Sequence, residues 1–233
     1  SAALWQGGAA MDYERLKRRQ RQERESYHPN LDLRIHRALS WLQRAEQAED
    51  LDGRFIFLWI AFNAAYANDI DDRARLTEQW LFRQFIDNLC RLDRQQRIEA
   101  LIWREFPGSI RVLLNNPYVH QEFWAYHNGK IDAEQWQESF AQARQAALRA
   151  LERRDTAAVL AIVFSRIYTL RNQLIHGGAT WNSSVNRGQL RDCVALLEKF
   201  VPLMLEIMMD NPNQLWGDPC YPVVRDPVPG ASA

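Results

Sequence analysis

The sequence predicts an all-α protein, and three observations support that fold class. Apolar residues recur at helical spacing along most of the 233 residues, the two-residue alternation typical of strands is absent, and glycine or proline separates the periodic stretches. Hydrophobic residues make up 47% of the chain, which is enough to bury a sizeable core. We therefore expect one large helical domain.

Charge and cysteine content exclude several classes of protein. The formal net charge is zero, so overall charge does not favour binding to nucleic acid or membrane, and any basic surface must be local. The three cysteines, Cys90, Cys193 and Cys220, lie far apart without a Cys-x-x-Cys pair, which indicates a reducing compartment. With no signal peptide or membrane span expected, the predicted location is the cytoplasm.

A charged N-terminal extension is predicted over residues 1–30. Within it, residues 1–10 precede Met11, and we expect them to be a remnant of expression. Residues 15–24 are rich in arginine and could contact RNA phosphates. The nearby acids Glu14, Glu23 and Glu25 favour a solvated helix of mixed charge instead.

A helical domain is predicted over residues 31–211, and its first three helices cover 31–48, 54–68 and 73–92. The sequence 50–53, Asp-Leu-Asp-Gly, separates the first two of them. Their buried stripes are expected to contain Ile35, Leu39 and Leu42, then Phe55, Leu58, Trp59, Phe62 and Tyr66, then Leu76, Trp80, Phe85 and Leu89.

The middle of the domain, 93–131, is predicted to be an insertion of short helices and loops, because proline, glycine and asparagine interrupt it repeatedly. Within it, His120 and His127 flank the aromatic residues Phe123, Trp124 and Tyr126. A base-stacking surface is one interpretation, but core aromatics with surface histidines are favoured.

Three further helices are predicted over 132–154, 156–176 and 187–209, followed by an irregular, proline-rich tail over 212–233. Asp132 and Gln135 match a capping box, and Asp155 can cap the second of these helices.

The residues with the clearest chemical character lie at the end of the helix predicted over 156–176. Arg171 falls within its apolar stripe, where a permanent charge needs a partner, and His176 is the last residue before Gly177 and Gly178 end the helix. On an ideal helix Arg171 and His176 lie on different faces, whereas Asn172 and His176 share one. The arginine and histidine would meet only across the helix end or between two subunits.

These residue types suit metal-independent cleavage of RNA. Internal transfer by the 2′-hydroxyl needs a base, an acid and a cation, which histidine and arginine supply. The chain has no metal-ligand motif, so we expect no metal or other cofactor. The spacing alone is weak in an arginine-rich chain, and a helix-end histidine with a paired core arginine remains an alternative.

Arg171-Asn172-x-x-x-His176, between an apolar helix and a final amphipathic helix, resembles the motif of the HEPN superfamily. The earlier helix, with Trp59, Asn63 and Tyr66 in that order, resembles the matching helix of some prokaryotic members. Together the two segments span much of residues 31–210.

The resemblance implies an antiparallel helical bundle that forms a homodimer through the motif helices. It also implies a metal-independent endoribonuclease of toxin–antitoxin or anti-phage defence systems, with an antitoxin or another defence protein as an additional partner. Arg171 and His176 would be catalytic, Asn172 would support them, and Asn63 would contact the substrate RNA. The alternative is a non-catalytic HEPN module that binds RNA, a nucleotide or a partner protein.

The chain departs from the family pattern in two places. The insertion over 93–131 is longer than a minimal member needs, and Gly178 replaces the tyrosine of the His-x-Tyr ending of some toxins. These departures affect the expected substrate and toxin role more than the expected fold.

Overall fold

The computed structural model describes residues 12–66, 75–217, 221 and 223, and these residues form helices and no strand. This confirms the all-α class. The α-helices are α1 (Asp12–Glu23), α2 (Pro29–Glu46), α3 (Leu51–Tyr66), α4 (Arg75–Leu92), α5 (Arg97–Ala100), α6 (Pro107–Leu114), α7 (Gln121–His127), α8 (Ala133–Glu152), α9 (Thr156–Ile175) and α10 (Arg187–Asp210). A π turn, Leu101–Glu105, and two 3₁₀ turns, Arg24–Ser26 and Pro117–Val119, complete them.

The predicted helices lie within about three residues of the observed ones. Residues 1–10, most of the predicted irregular tail, and residues 68 and 73 lie outside the described residues. The capping box of Asp132 and Gln135 is present, and the Asp155 carboxylate accepts the Ala158 amide at 3.0 Å. Local side-chain chemistry therefore sets these helix starts.

Helices α2 and α3 form a hairpin, and a side chain caps the start of each helix. Pro29 occupies the first turn of α2, and the His28 ring accepts the Asn30 amide at 3.1 Å. At the start of α3 the Asp50 carboxylate accepts the Gly53 amide at 2.8 Å. Both contacts satisfy helix-end amides that have no partner within the helix.

The core is centred where α3, α9 and α10 meet. The Phe62 ring lies 4.7 Å from the Phe164 ring, which lies 5.1 Å from the Phe200 ring. All three side chains are buried, and burying a phenylalanine stabilises the fold by roughly 2–3 kcal/mol. These contacts hold α9 against the most apolar helix of the chain.

Helix α1 belongs to the bundle rather than to a solvated extension. Leu16 and Gln20 are buried, and α1 packs against α2 and α10. From residue 12 onward the segment predicted as a charged extension therefore packs against the bundle, held by Leu16, by Tyr13 and by salt bridges to α10.

The region predicted as an insertion divides into two parts. Its first part supplies core residues, including Ile98, Leu101, Ile110 and Val119. Its second part, α7, forms a separate aromatic cluster with the start of α8, and in this cluster Phe123, Trp124 and Tyr126 are only half-buried. Their assignment to the core is therefore wrong.

The buried stripe predicted for α4 is observed only in part. Trp80, predicted to be core, is 60% exposed, whereas Leu89 on the same helix is fully buried; the side chain of Leu76 lies outside the described set.

Within the described ranges no helix combines the length and apolar character that crossing a bilayer requires.

Candidate functional site

Helix α9 carries the candidate residues and is firmly held in the bundle. Its buried side chains lie on one broad face and include Leu160, Val163, Phe164, Ile167 and Leu170, as the periodicity predicts. Tyr168 and Ile175 are exposed along one edge of this face. The helix therefore presents a solvent-facing strip beside a rigid buried one.

The C-terminal end of α9 is a Schellman motif. The Gly178 amide donates to the Gln173 carbonyl at 2.7 Å, and the Gly177 amide donates to the Leu174 carbonyl at 3.2 Å. Gly177 has φ +69°, a left-handed conformation that costs other residues about 1 kcal/mol. The glycine pair therefore fixes the backbone at His176, as the sequence predicts.

Arg171 lies at the border between the buried and the exposed face of α9. Its Nη1 donates to the Asn172 Oδ1 at 2.8 Å, and its guanidinium carbon lies 5.8 Å from the centre of the Tyr168 ring. The Nε atom is buried without an acceptor. Within the described ranges no carboxylate pairs with this guanidinium, so its positive charge is not neutralised.

His176 is the C-cap residue of α9, and its side chain is exposed. Its amide donates to the Asn172 carbonyl at 3.0 Å, so the side chain of Asn172 contacts Arg171 while its main chain contacts His176. No described contact joins the Arg171 and His176 side chains. Five helical residues correspond to about 140° of rotation, which separates them within one chain.

Asn63 does not lie beside Arg171 in the single chain. The ring contacts Phe62–Phe164 and Trp59–Tyr168 show that α3 and α9 run antiparallel, which places Asn63 level with Phe164. Arg171 is seven residues further along α9, or about 10 Å along its axis. A substrate-binding role for Asn63 therefore stays a prediction that requires a long substrate or a second copy of the chain.

A second arginine on α9, which the sequence did not predict as notable, has no carboxylate partner among the described residues. Arg166 is 6% exposed, and its Nη1 lies 3.3 Å from the His120 Nδ1. The His120 Nε2 lies 3.3 Å from the Ser139 Oγ, so the neutral imidazole connects α9 to α8. Burial and the neighbouring Arg166 charge lower the pKa of His120 to about 4, and burial also lowers that of Arg166.

The expectation that His120 lies at the surface is wrong. His120 is 6% exposed, because the 3₁₀ turn before it and Phe140 of α8 enclose its ring. The sequence signal for the burial of His120 is Asn116-Pro117, which begins the 3₁₀ turn that contacts α9.

The segments on either side of the α9 terminus are held to it by hydrogen bonds. The Gln173 Nε2 donates to the Tyr118 carbonyl at 2.6 Å, and its Oε1 accepts from the Asn186 side chain at 3.0 Å. On α3, Asp52 forms a salt bridge with Arg187 at 3.2 Å. A pocket at this junction is lined by neither Arg171 nor His176.

The candidate residues therefore form an open surface in the single chain, with one unneutralised cation and one exposed imidazole. Among the residues with described positions, no three His, Cys, Asp or Glu side chains are placed to share a metal ion. Comparisons with profiles of protein families, with curated protein sequences and with solved structures give no match.

Proposed function

We propose that the protein is a metal-independent endoribonuclease of the HEPN type that acts as a toxin or in anti-phage defence. One observation carries the proposal: the Arg171 guanidinium meets no carboxylate in the described chain, and Asn172 connects it to the backbone of His176. Arg166 on the same helix also lacks a carboxylate partner in the described chain, but it is buried, whereas Arg171 borders solvent from which an external anion can reach it. The free donors of Arg171 suit an oxygen-rich anion.

The proposed reaction is an internal transfer at phosphorus. A neutral His176 imidazole removes the proton from a ribose 2′-hydroxyl, and the resulting 2′-oxygen attacks the adjacent phosphorus. The bond to the 5′-oxygen breaks, that oxygen takes a proton from a protonated His176 of a second copy or from water, and a 2′,3′-cyclic phosphate remains. Arg171 stabilises the charge on the phosphoryl oxygens.

The exposed strip of α9 supports assembly of the site from two copies. Ala161, Ser165, Tyr168, Asn172 and Ile175 follow one another at alternating spacings of four and three residues, the pattern of a helix-pairing seam. All five are exposed or half-buried in the single chain. Antiparallel pairing of two such strips near their C-terminal ends would bring Arg171 of one copy toward His176 of the other, which one helix cannot do.

The activity is tested on labelled single-stranded RNA in the presence of EDTA. We expect wild-type protein to cut it and to leave 2′,3′-cyclic phosphate ends, and we expect His176→Ala to abolish cutting while the circular dichroism spectrum is unchanged. His127→Ala is the matched control, because His127 is also an exposed histidine at a helix end. Cutting that stops with EDTA, or that also occurs in DNA of the same sequence, would contradict the proposal.

The dimer is tested by light scattering of an Ile175→Glu variant. Ile175 is 52% exposed on the strip, and a buried glutamate would oppose pairing, so we expect a monomer that no longer cuts RNA. Val112→Glu is the control because Val112 is 60% exposed on α6. If the wild-type protein is monomeric and active, the shared site is wrong.

The rotation of about 140° between Arg171 and His176 favours a second candidate, a HEPN module that binds RNA, a nucleotide or a partner protein without cutting. It predicts that purified protein leaves a mixed RNA pool intact and that Arg171→Ala weakens binding. Cutting by the wild-type protein rules it out.

A further inference from the structure

Helix α1 has two arginine-containing faces with different surroundings. On the inner face, Arg15 forms a salt bridge with Glu206 of α10, and Arg19 forms salt bridges with Asp210 at 2.7 Å and with Glu23 at 2.8 Å. The salt bridges to Glu206 and Asp210 attach α1 to α10. Their positive charges are neutralised, so this face has no need of an external anion.

The outer face, which we call the basic face, consists of Lys17, Arg21 and Arg24 with His36 and Arg37 from α2. The residues from α1 and the adjoining 3₁₀ turn are spaced by four and three, so they align over about 10 Å. In the described chain none of these five residues forms a salt bridge. Arg21, Arg24 and His36 are exposed, and Lys17 and Arg37 are half-exposed.

Cations of the basic face lie close enough to repel one another. The Lys17 Nζ donates to the His36 Nδ1 at 3.0 Å and to the Gln20 Oε1 at 2.6 Å. Burial and the Arg21 charge lower the pKa of Lys17, and burial and the Lys17 charge lower that of His36. Asp32 acts in the opposite direction on both, but one of its oxygens is engaged by the Gln20 amide at 2.8 Å.

A cluster of this kind is unexpected in a chain whose formal net charge is zero. Acids are numerous on α1, yet those that form salt bridges do so with Arg15 and Arg19. Glu14, Glu25 and Asp32 form no described salt bridge either, and the basic residues outnumber them on this side of the α1–α2 pair. Such a local excess of positive charge attracts a polyanion even when the whole molecule is neutral.

We propose that the basic face binds the phosphate backbone of single-stranded RNA, as a contact additional to the one proposed at Arg171. The choice of RNA rests on the proposed ribonuclease function. Guanidinium groups form paired hydrogen bonds with phosphate oxygens, and the released counterions make such binding strongly dependent on salt. Helix α9 does not carry any residue of this face, so the two contacts can be tested separately.

The experiment measures RNA binding in a His176→Ala background, so that the RNA is not cut. Fluorescence anisotropy of a labelled single-stranded RNA is recorded over a range of salt concentrations for the background protein and for Arg21→Gln/Arg24→Gln/Arg37→Gln. We expect binding to weaken by about 10-fold and the slope of log K against log salt to decrease by about 2, from three lost phosphate contacts.

The matched control is Arg91→Gln/Arg149→Gln/Arg153→Gln, which removes the same charge from exposed arginines elsewhere. Equal losses of affinity in the two triple variants, or an unchanged salt slope, would overturn the proposal. The proposal would also be overturned if the triple variant of the basic face lost binding to vesicles of anionic phospholipid but kept its binding to RNA. If the triple variant fails to fold, the single change Arg24→Glu replaces it, with Arg153→Glu as its control.

The outcomes distinguish this inference from the proposed function. If RNA binding depends on the basic face but the wild-type protein cuts no RNA, the inference stands and the ribonuclease proposal is wrong. If the wild-type protein cuts RNA but the triple variant binds it with unchanged affinity, the inference alone is wrong.

Discussion

Arg166 and Arg171 lie five residues apart on one helix, and their surroundings differ completely. Arg166 is buried and contacts a neutral imidazole, whereas Arg171 borders solvent and retains free donors. The difference arises from what packs on each side of α9: the 3₁₀ turn and α8 cover Arg166, and no described element covers the strip beside Arg171. Two like residues in one apolar helix therefore have different surroundings, one enclosed and the other accessible to an external anion.

The largest expected difference is in activity. Arg171→Met should slow RNA cleavage by about 10²–10³-fold, because the cation that stabilises the phosphoryl charge is lost. Arg166→Met should leave cleavage within about threefold of wild type and stability unchanged or higher, since an apolar chain of similar size replaces a buried charge. Single-turnover assays measure the cleavage rates of the two variants, and urea unfolding measures their stabilities. A larger loss of cleavage in Arg166→Met would reverse the assignment of roles.

The next effect is a loss of stability in acid that arises from His120. Its pKa is about 4 in the folded protein and near 6.5 in the unfolded chain, so the unfolded state binds more protons between these values. The free energy of unfolding should therefore be unaffected above pH 6.5 and should fall by up to about 3 kcal/mol as the pH decreases to 4.

Urea unfolding at several pH values measures this effect, and His120→Gln should have a correspondingly shallower dependence on pH. Carboxylates that titrate in the same range contribute equally to both proteins, so the difference between the two curves isolates His120. Identical curves would mean that protonation of His120 is not opposed by Arg166 and burial.

The smallest effect concerns the glycine that ends α9. Gly177→Ala should lower the free energy of unfolding by about 1 kcal/mol, because alanine is strained at φ +69°. It should also reduce cleavage by displacing His176. Gly129→Ala is the matched control: Gly129 has φ +73°, and an added Cβ meets no atom within 4 Å at either site.

Thermal unfolding and cleavage assays of the two alanine variants are compared directly. Equal losses of stability with reduced cleavage in Gly177→Ala alone are expected. If both variants cut RNA as the wild-type protein does, the backbone of the Schellman motif does not position His176.

Much of the local structure follows from sequence because its causes are local. Periodicity predicted the long helices, Asp132 and Asp155 predicted two helix starts, and Gly177 with Gly178 predicted the end of α9. Periodicity does not reveal which partner covers a face, so Trp80 was placed in the core although it is 60% exposed. The docking of α1 by Leu16, Tyr13 and salt bridges to α10 was equally invisible in a charged segment.

In the candidate site, too, the sequence predicted the local features and not the contacts between distant segments. Sequence predicted Arg171, Asn172 and His176 and their place at a helix end, and it predicted that Arg171 and His176 do not share a face. It did not reveal Arg166 with His120, because that contact joins residues 46 positions apart. Nor did it separate the neutralised and unneutralised faces of α1, which differ only in whether α10 lies opposite.

The sequence by itself determined the helical class through its periodicity. It also determined the starts of α8 and α9 and the end of α9, because hydrogen bonds within a few residues decide these helix ends. Only the tertiary structure decided which charges are neutralised: Arg19 meets Asp210, Arg166 meets an imidazole, and Arg171 meets no described carboxylate. The physical reason is that the free energy of a charge depends on burial and on partners within a few ångströms, and both are set by the packing of distant segments.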